Sequence, residues 1–250
     1  MASRHKEAGL LIPNMLLLII LIFFFSTFVQ SMIGFGSALI AMPLLVRLLG
    51  IEIAAPLVAV SALLIEITIL LRYREAFDFA VVKYLAIVTI LGIPIGVYAV
   101  RYIDNDIVNK VLGIIVMGYA LYALFAPKLP DLASNAWTLI FGFIAGVLGG
   151  AYNTSGPPYV IYGNARGWSP DEFKSNLQGL FLVNGIIIVT VHAMGGNLTS
   201  EVFQYMLYGL PGVILGLVAG FILSKRINPE LFRTTILIAL LFLGASLLVL

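Results

Sequence analysis

Gly149-Gly150-Ala151-Tyr152-Asn153-Thr154-Ser155-Gly156-Pro157-Pro158 sits in the middle of an uncharged run from Leu132 to Ala165. A membrane-spanning helix needs about 20 apolar residues, so this run is too long for one crossing. Its centre also breaks a helix, because glycines loosen the backbone and two successive prolines remove N–H donors. Such a break frees backbone polar groups, which membrane depth tolerates only where protein or a wet cavity satisfies them. Working outward, the region Asn135 to Gly163 is therefore expected to be a broken helix. The region Leu10 to Leu49 repeats the pattern, with Gln30-Ser31-Met32-Ile33-Gly34-Phe35-Gly36-Ser37 as the interruption and Pro43 after it.

The rest of the chain agrees with a lipid environment. Of its 250 residues 61% are hydrophobic and 10% charged, with a mean hydropathy of +1.09. Soluble domains carry about 25% charged residues, so a soluble enzyme, a disordered chain and a nucleic-acid binder are excluded, and a net charge of +2 gives no general pull on polyanions. The charges punctuate apolar runs of spanning length. Six spans are expected, within 53–71, 84–100, 111–127, 175–200, 202–224 and 234–250. Arg4 and Lys6 ahead of Leu10 to Phe25 are leader-like, but no small-x-small site follows. The expected class is an all-α polytopic membrane protein.

The sequence divides into two repeats, 1–127 and 135–250, joined by a polar linker at 128–134. Each repeat is expected to open with a broken, re-entrant helical region followed by three transmembrane helices. Gly92 and Gly96 match Gly212 and Gly216, and each pair precedes a polar turn. If the broken regions are re-entrant, the repeats are inverted. Then Arg72, Arg74, Lys83, Lys128, Arg166, Lys174, Lys225, Arg226 and Arg233 share one side, and the positive-inside rule makes it cytoplasmic. If each region crosses once, the repeats are parallel and Arg101 shares a side with Arg226.

The breaks also suggest chemistry. Helix N-termini offer orphan N–H donors and partial positive charge to an anion. Gln30, Ser31, Ser37, Asn153, Thr154 and Ser155 add neutral polar groups, while Gly34, Gly36 and Gly156 allow close backbone approach. Pro157 and Pro158 start a new helix, and Pro43 is expected to kink its own. Asn176 lies on the helix after the second break; Gln178 falls on another face, and Asn184 can share the face of Asn176. Inter-helix hydrogen bonding is the competing role for these amides. Glu66 reads either as a coupling site for a proton or sodium or as an anchor beside Arg72 and Arg74. His192 reads either as a titrating group or as a helix-end cap. Gly212, Gly216 and Gly220 form a small-residue ridge for packing.

Gly142-Phe143-Ile144-Ala145-Gly146-Val147-Leu148-Gly149-Gly150 with Ser155-Gly156-Pro157-Pro158-Tyr159-Val160-Ile161-Tyr162 resembles the second-half motif of the sulfite exporter TauE/SafE family. Gly34-Phe35-Gly36-Ser37 with Pro43-Leu44-Leu45 is similar to its first-half motif, although Ser37-Ala38 stands where members often have Gly-Gly. The resemblance implies a permease for sulfur anions such as sulfite, sulfonates or sulfoacetate, multi-pass in a bacterial or archaeal inner membrane. No cofactor or metal is expected, and the partners are the anion, the bilayer, a coupling ion and, as an open option, further copies of the chain. A passive anion channel and a membrane subunit of a larger transport complex are the alternatives. An enzyme is not expected: there is no His-Glu-x-x-His, no Gly-x-Ser-x-Gly and no Gly-x-x-x-x-Gly-Lys-Ser/Thr.

Overall fold

Polar caps set where the helices begin. Asp78 accepts from Ala80 N–H at 2.8 Å, Asn228 accepts from Glu230 N–H at 2.9 Å, and Ser169 and Glu172 form a reciprocal capping box ahead of Pro170. Between the caps the chain is apolar and helical. The structure, a computed structural model, describes residues 2–125, 135–224 and 226–249, except for the side chains of 2–14 and of 101, 105, 135 and 229. The polar linker 128–134 and the side chains of Arg4, Lys6 and Lys225 lie outside the described residues.

The helices are α1 (Ala2–Ile33), α2 (Ser37–Leu49), α3 (Ile51–Tyr73), α4 (Phe79–Tyr102), α5 (Asn105–Phe125), α6 (Asn135–Tyr152), α7 (Gly156–Ala165), α8 (Pro170–Met194), α9 (Ser200–Leu223) and α10 (Pro229–Leu248). Among the described residues there is no strand, and seven helices are long and apolar enough to cross a membrane. Six are the spans read from the charges; the seventh, Met15–Ile33, comes from the first broken region. Leu91, Leu207 and Phe242 are each more than half exposed. An aqueous surface rarely carries such an apolar belt; lipid tails cover it at no cost.

Glycines bring the backbones of two helix pairs together. A Cβ on Gly212 would strike the Ile20 carbonyl, one on Gly216 the Phe24 carbonyl, and one on Gly220 the Ser31 side chain. Residue numbers rise together across this contact, so α1 runs parallel to α9. The other pair is built alike: Gly92 abuts Phe143 and Val147, Gly96 abuts Val147 and Ala151, and Gly150 abuts Ile93, so α6 runs parallel to α4. Lipid supplies no hydrophobic drive between helices, so such close contact is what holds them. The ridge read from Gly212, Gly216 and Gly220 is a packing surface, and Gly92 and Gly96 have the same role.

Both broken regions turn back on themselves. The Tyr162 hydroxyl, near the end of α7, lies 3.0 Å from the Thr138 hydroxyl at the start of α6. The N-terminus of α3 and the C-terminus of α4 share one cavity with the N-terminus of α9. We call this the vestibule end. From there α9 and its parallel neighbour α1 run inward; after the break, α2 returns to meet α3 through Gly50, whose φ of 80° makes the turn. α6 enters from the opposite end.

Candidate functional site

Asn153, Thr154 and Ser155 end up with Gly36, Ser37 and Gln30 around a cavity of about 40 Å³. A buried water needs about 10–15 Å³ of such space, so the cavity suits about three waters or one small oxyanion. Gly156, the first residue of α7, and Ala38 and Leu39, in the first turn of α2, also line it. Two helix N-termini therefore meet here. The N–H groups of Ala38 and Leu39 have no helical carbonyl to reach, as in any first turn.

The acceptors at the breaks are engaged locally. Gly34 N–H donates to the Gln30 carbonyl at 2.7 Å, and Asn153 and Thr154 N–H donate to the carbonyls of Gly149 and Leu148. A relay of amides fixes the first break. Ser37 donates from both its N–H and its hydroxyl to Oε1 of Gln30; Nε2 of Gln30 donates to Oε1 of Gln178 at 3.2 Å; Nε2 of Gln178 donates to the Gly34 carbonyl at 2.5 Å. At the second break Asn153 adopts a φ of 53°, left-handed backbone that asparagine enters more readily than most residues, and its Nδ2 donates to the Ala55 carbonyl at 2.8 Å. The carbonyls of Gln30, Gly34, Leu148 and Gly149 are thus engaged, while the first-turn N–H groups of Ala38 and Leu39 face the cavity without a helical acceptor, which suits an anionic guest.

Not every residue singled out from the sequence reaches the cavity. Glu66 does: it is 6% exposed, and its Oε2 meets no donor among the described residues. Ser31 lies against the Phe28 and Gly216 carbonyls, Gly34 serves through its carbonyl, and Pro43 is buried inside α2. Pro157 and Pro158 form the buried start of α7 behind Gly156. Asn176 accepts from Asp78 N–H at 2.9 Å, which ties α8 to the start of α4. His192 lies on the vestibule instead, its Nδ1 2.9 Å from Nδ2 of Asn197. Asn184, set on the helix face of Asn176 by spacing alone, lines the cavity, as do Phe181 and Gly185. Sequence reasoning set Gln178 aside; its partners come from a helix almost 150 positions earlier, and only tertiary register reveals them.

The vestibule is wide, about 890 Å³, and reaches Ala55, Gly150 and Ala151. The Asn153–Ala55 bond therefore stands between it and the small cavity. At the opposite end the first break is covered: the Phe77 ring packs on Gly179, and the Lys174 side chain packs on Gly34.

Comparison with known proteins then decides the family. The profile described as sulfite exporter TauE/SafE matches residues 18–247, nearly the whole chain. The chain belongs to the sulfite exporter TauE/SafE family. It is thus a multi-pass membrane transporter of a bacterial membrane and not an enzyme. A relative from Cupriavidus necator named "Probable sulfite/organosulfonate exporter TauE" is 24% identical over 88% of this chain and 89% of its own. A "Probable membrane transporter protein" of Haemophilus influenzae is 26% identical over 88% and 86%. No solved structure matches the chain. Both quoted family motifs fall on the residues that line or build the two breaks.

Proposed function

We propose that this chain is a secondary permease for small sulfur oxyanions, which bind in the cavity between the two helix breaks. One observation carries the reading: two half-helix N-termini converge on a cavity of oxyanion size that no lysine or arginine lines among the described residues. Backbone donors and helix dipoles replace a basic side chain, which suits a guest that must also leave. The relative named for sulfite and organosulfonate export supports sulfur as the central atom. The cavity size favours sulfite over the longer sulfonates.

The halves 1–127 and 135–250 act as inverted repeats in this proposal, with the vestibule end facing away from the cytoplasm. Support comes from the two glycine-mediated pairings, α1 with α9 and α6 with α4, each joining the first helix of one half to the fourth of the other. The basic residues Arg72, Arg74, Lys83, Arg166 and Lys174 gather at the opposite end, as the positive-inside rule expects. Glu66 is the coupling residue, for a proton or sodium.

Flux into proteoliposomes with sulfite, thiosulfate, sulfate, sulfoacetate, taurine and a carboxylate control tests the proposal. Saturable flux of sulfite ahead of the carboxylate is expected. Carboxylate flux with none of the sulfur anions would sink the substrate assignment, and flux that never saturates would favour a channel.

A further inference from the structure

The donor-rich cavity has one corner of the opposite character. Glu66 and Asn184 both line it, both residues are more than nine-tenths buried, and neither Oε2 of Glu66 nor Oδ1 of Asn184 meets a donor among the described residues. An unmet buried acceptor is costly, and a charged one more so.

The orientation of the Asn184 amide follows from its neighbours. The Thr89 hydroxyl donates to the Leu85 carbonyl at 2.7 Å, so it has no proton left for Tyr159, whose hydroxyl lies 2.7 Å away. The Tyr159 hydroxyl must then donate to Thr89, and it can only accept from Asn184, whose Nδ2 lies at 2.8 Å. Nδ2 is committed, and Oδ1 is left for the cavity. Gly185 keeps room beside it: a Cβ there would come within 2.9 Å of Glu66 Oε2.

An oxyanion offers only acceptors to this corner unless it arrives with a proton. We propose, resting on the assignment of this cavity as the anion site, that each anion is carried together with one proton shared among its own oxygen, Glu66 Oε2 and Asn184 Oδ1. Asn184 is then a specificity-determining residue that was not assigned to the site from sequence. The proton enters from the side that loads the anion and leaves with it. Two free oxygens suit a proton better than a metal cation, because hard cations take about six oxygen ligands. Of the other side-chain oxygens on lining residues, Oε1 of Gln30 already accepts from the N–H and hydroxyl of Ser37, and Oγ1 of Thr154 donates to the Tyr152 carbonyl.

Among the described residues no other Asp, Glu, His, Lys or Arg lines the cavity, and the Tyr159 hydroxyl lies behind Asn184. α1 contributes Gln30 to the cavity, α2 contributes Ser37 to Leu39, and α7 contributes Gly156. α8 contributes Phe181, Asn184, Gly185 and Ile188; its His192 faces the vestibule. α9 also packs on α3, with Arg72 stacked 4.8 Å from the Phe221 ring, so its apolar stretch near Leu215 is level with Glu66 and Glu201, Tyr205 and Tyr208 lie toward the vestibule.

The test uses the full chain in vesicles loaded with a pH-sensitive dye, with sulfite as the probe and protein-free vesicles as the leak control. We expect one proton taken up per sulfite, no response to sodium, and flux that falls at least tenfold from acidic to mildly alkaline medium. Glu66→Gln places a permanent N–H donor in the corner, so its sulfite flux should persist with a flattened pH profile and no proton movement. Sulfite uptake without protons, uptake driven by sodium, or an unchanged pH profile in Glu66→Gln overturns the inference while leaving the permease assignment standing. No protein-dependent uptake of any sulfur anion overturns both. The wild-type proton count decides the matter even if the variant fails to fold.

Discussion

Asn153 concentrates the second break in a single residue. It holds left-handed backbone, and its side chain bridges to α3 between the vestibule and the cavity. Asn153→Ala should lose both features: about 1–2 kcal/mol for the left-handed backbone and about 1 kcal/mol for the hydrogen bond. Asn153→Gly should lose only the bond. The alanine variant is therefore expected to melt lower than the glycine variant in detergent. Both should transport more slowly if the bridge positions the cavity wall; equal melting of the two would deny that backbone geometry matters here. Glu66 shows where one-dimensional reading stops. Six residues separate it from Arg72, a rise of about 9 Å along a helix, which fits an interfacial anchor as well as a cavity lining. Burial distinguishes them, and burial comes from α8, more than a hundred positions away.

At the scale of elements, the two helix crossings matter more than any side chain. A Cβ on Gly146 would collide with the Thr89 carbonyl, and one on Gly212 with the Ile20 carbonyl, so neither neighbour can step aside without moving a helix. Gly146→Ala and Gly212→Ala should sharply lower the yield of folded protein. Gly118 is the control: it is exposed on α5 with nothing within 4 Å. Gly118→Ala should be neutral or stabilise by up to about 1 kcal/mol, as helix propensity dictates. Size-exclusion profiles and thermal melts of the three variants check this. The glycine spacing was legible because close packing demands small residues at helical intervals. The span ends were legible because charges gather where helices leave the lipid. The amide relay through Gln178 was not, since it depends on which helices become neighbours.

The whole molecule poses the question of sidedness. Asp104 lines the vestibule, while Arg226 follows the far end of α9, whose 24 residues span about 36 Å. The chain has no cysteine, so single Asp104→Cys and Arg226→Cys variants report cleanly to a membrane-impermeant thiol reagent. Labelling from opposite faces of oriented vesicles is expected. Labelling from the same face would require parallel halves and a different arrangement from the one proposed. Six of the seven candidate spans and both breaks were readable from charge and glycine–proline punctuation. That α1 runs parallel to α9 and α6 to α4 was not readable, because a sequence does not carry the direction in which helices meet.

The two half-helices at the cavity are matched in place but not in make-up. α2 begins Ser37-Ala38-Leu39 and keeps its N–H groups, whereas α7 begins Gly156-Pro157-Pro158 and has surrendered two of them. In the proposed transport cycle, exchanging the roles of the halves is therefore not a symmetric operation. The guest would be gripped by a different set of donors when the site opens to each face. Half-saturating concentrations measured from the two faces should differ, with the maximal rates differing by the same factor. Microscopic reversibility ties those ratios together and leaves the accumulation limit to the gradients alone. Such a carrier would run readily one way under cellular concentrations while remaining fully reversible, a kinetic rectifier without a thermodynamic preference.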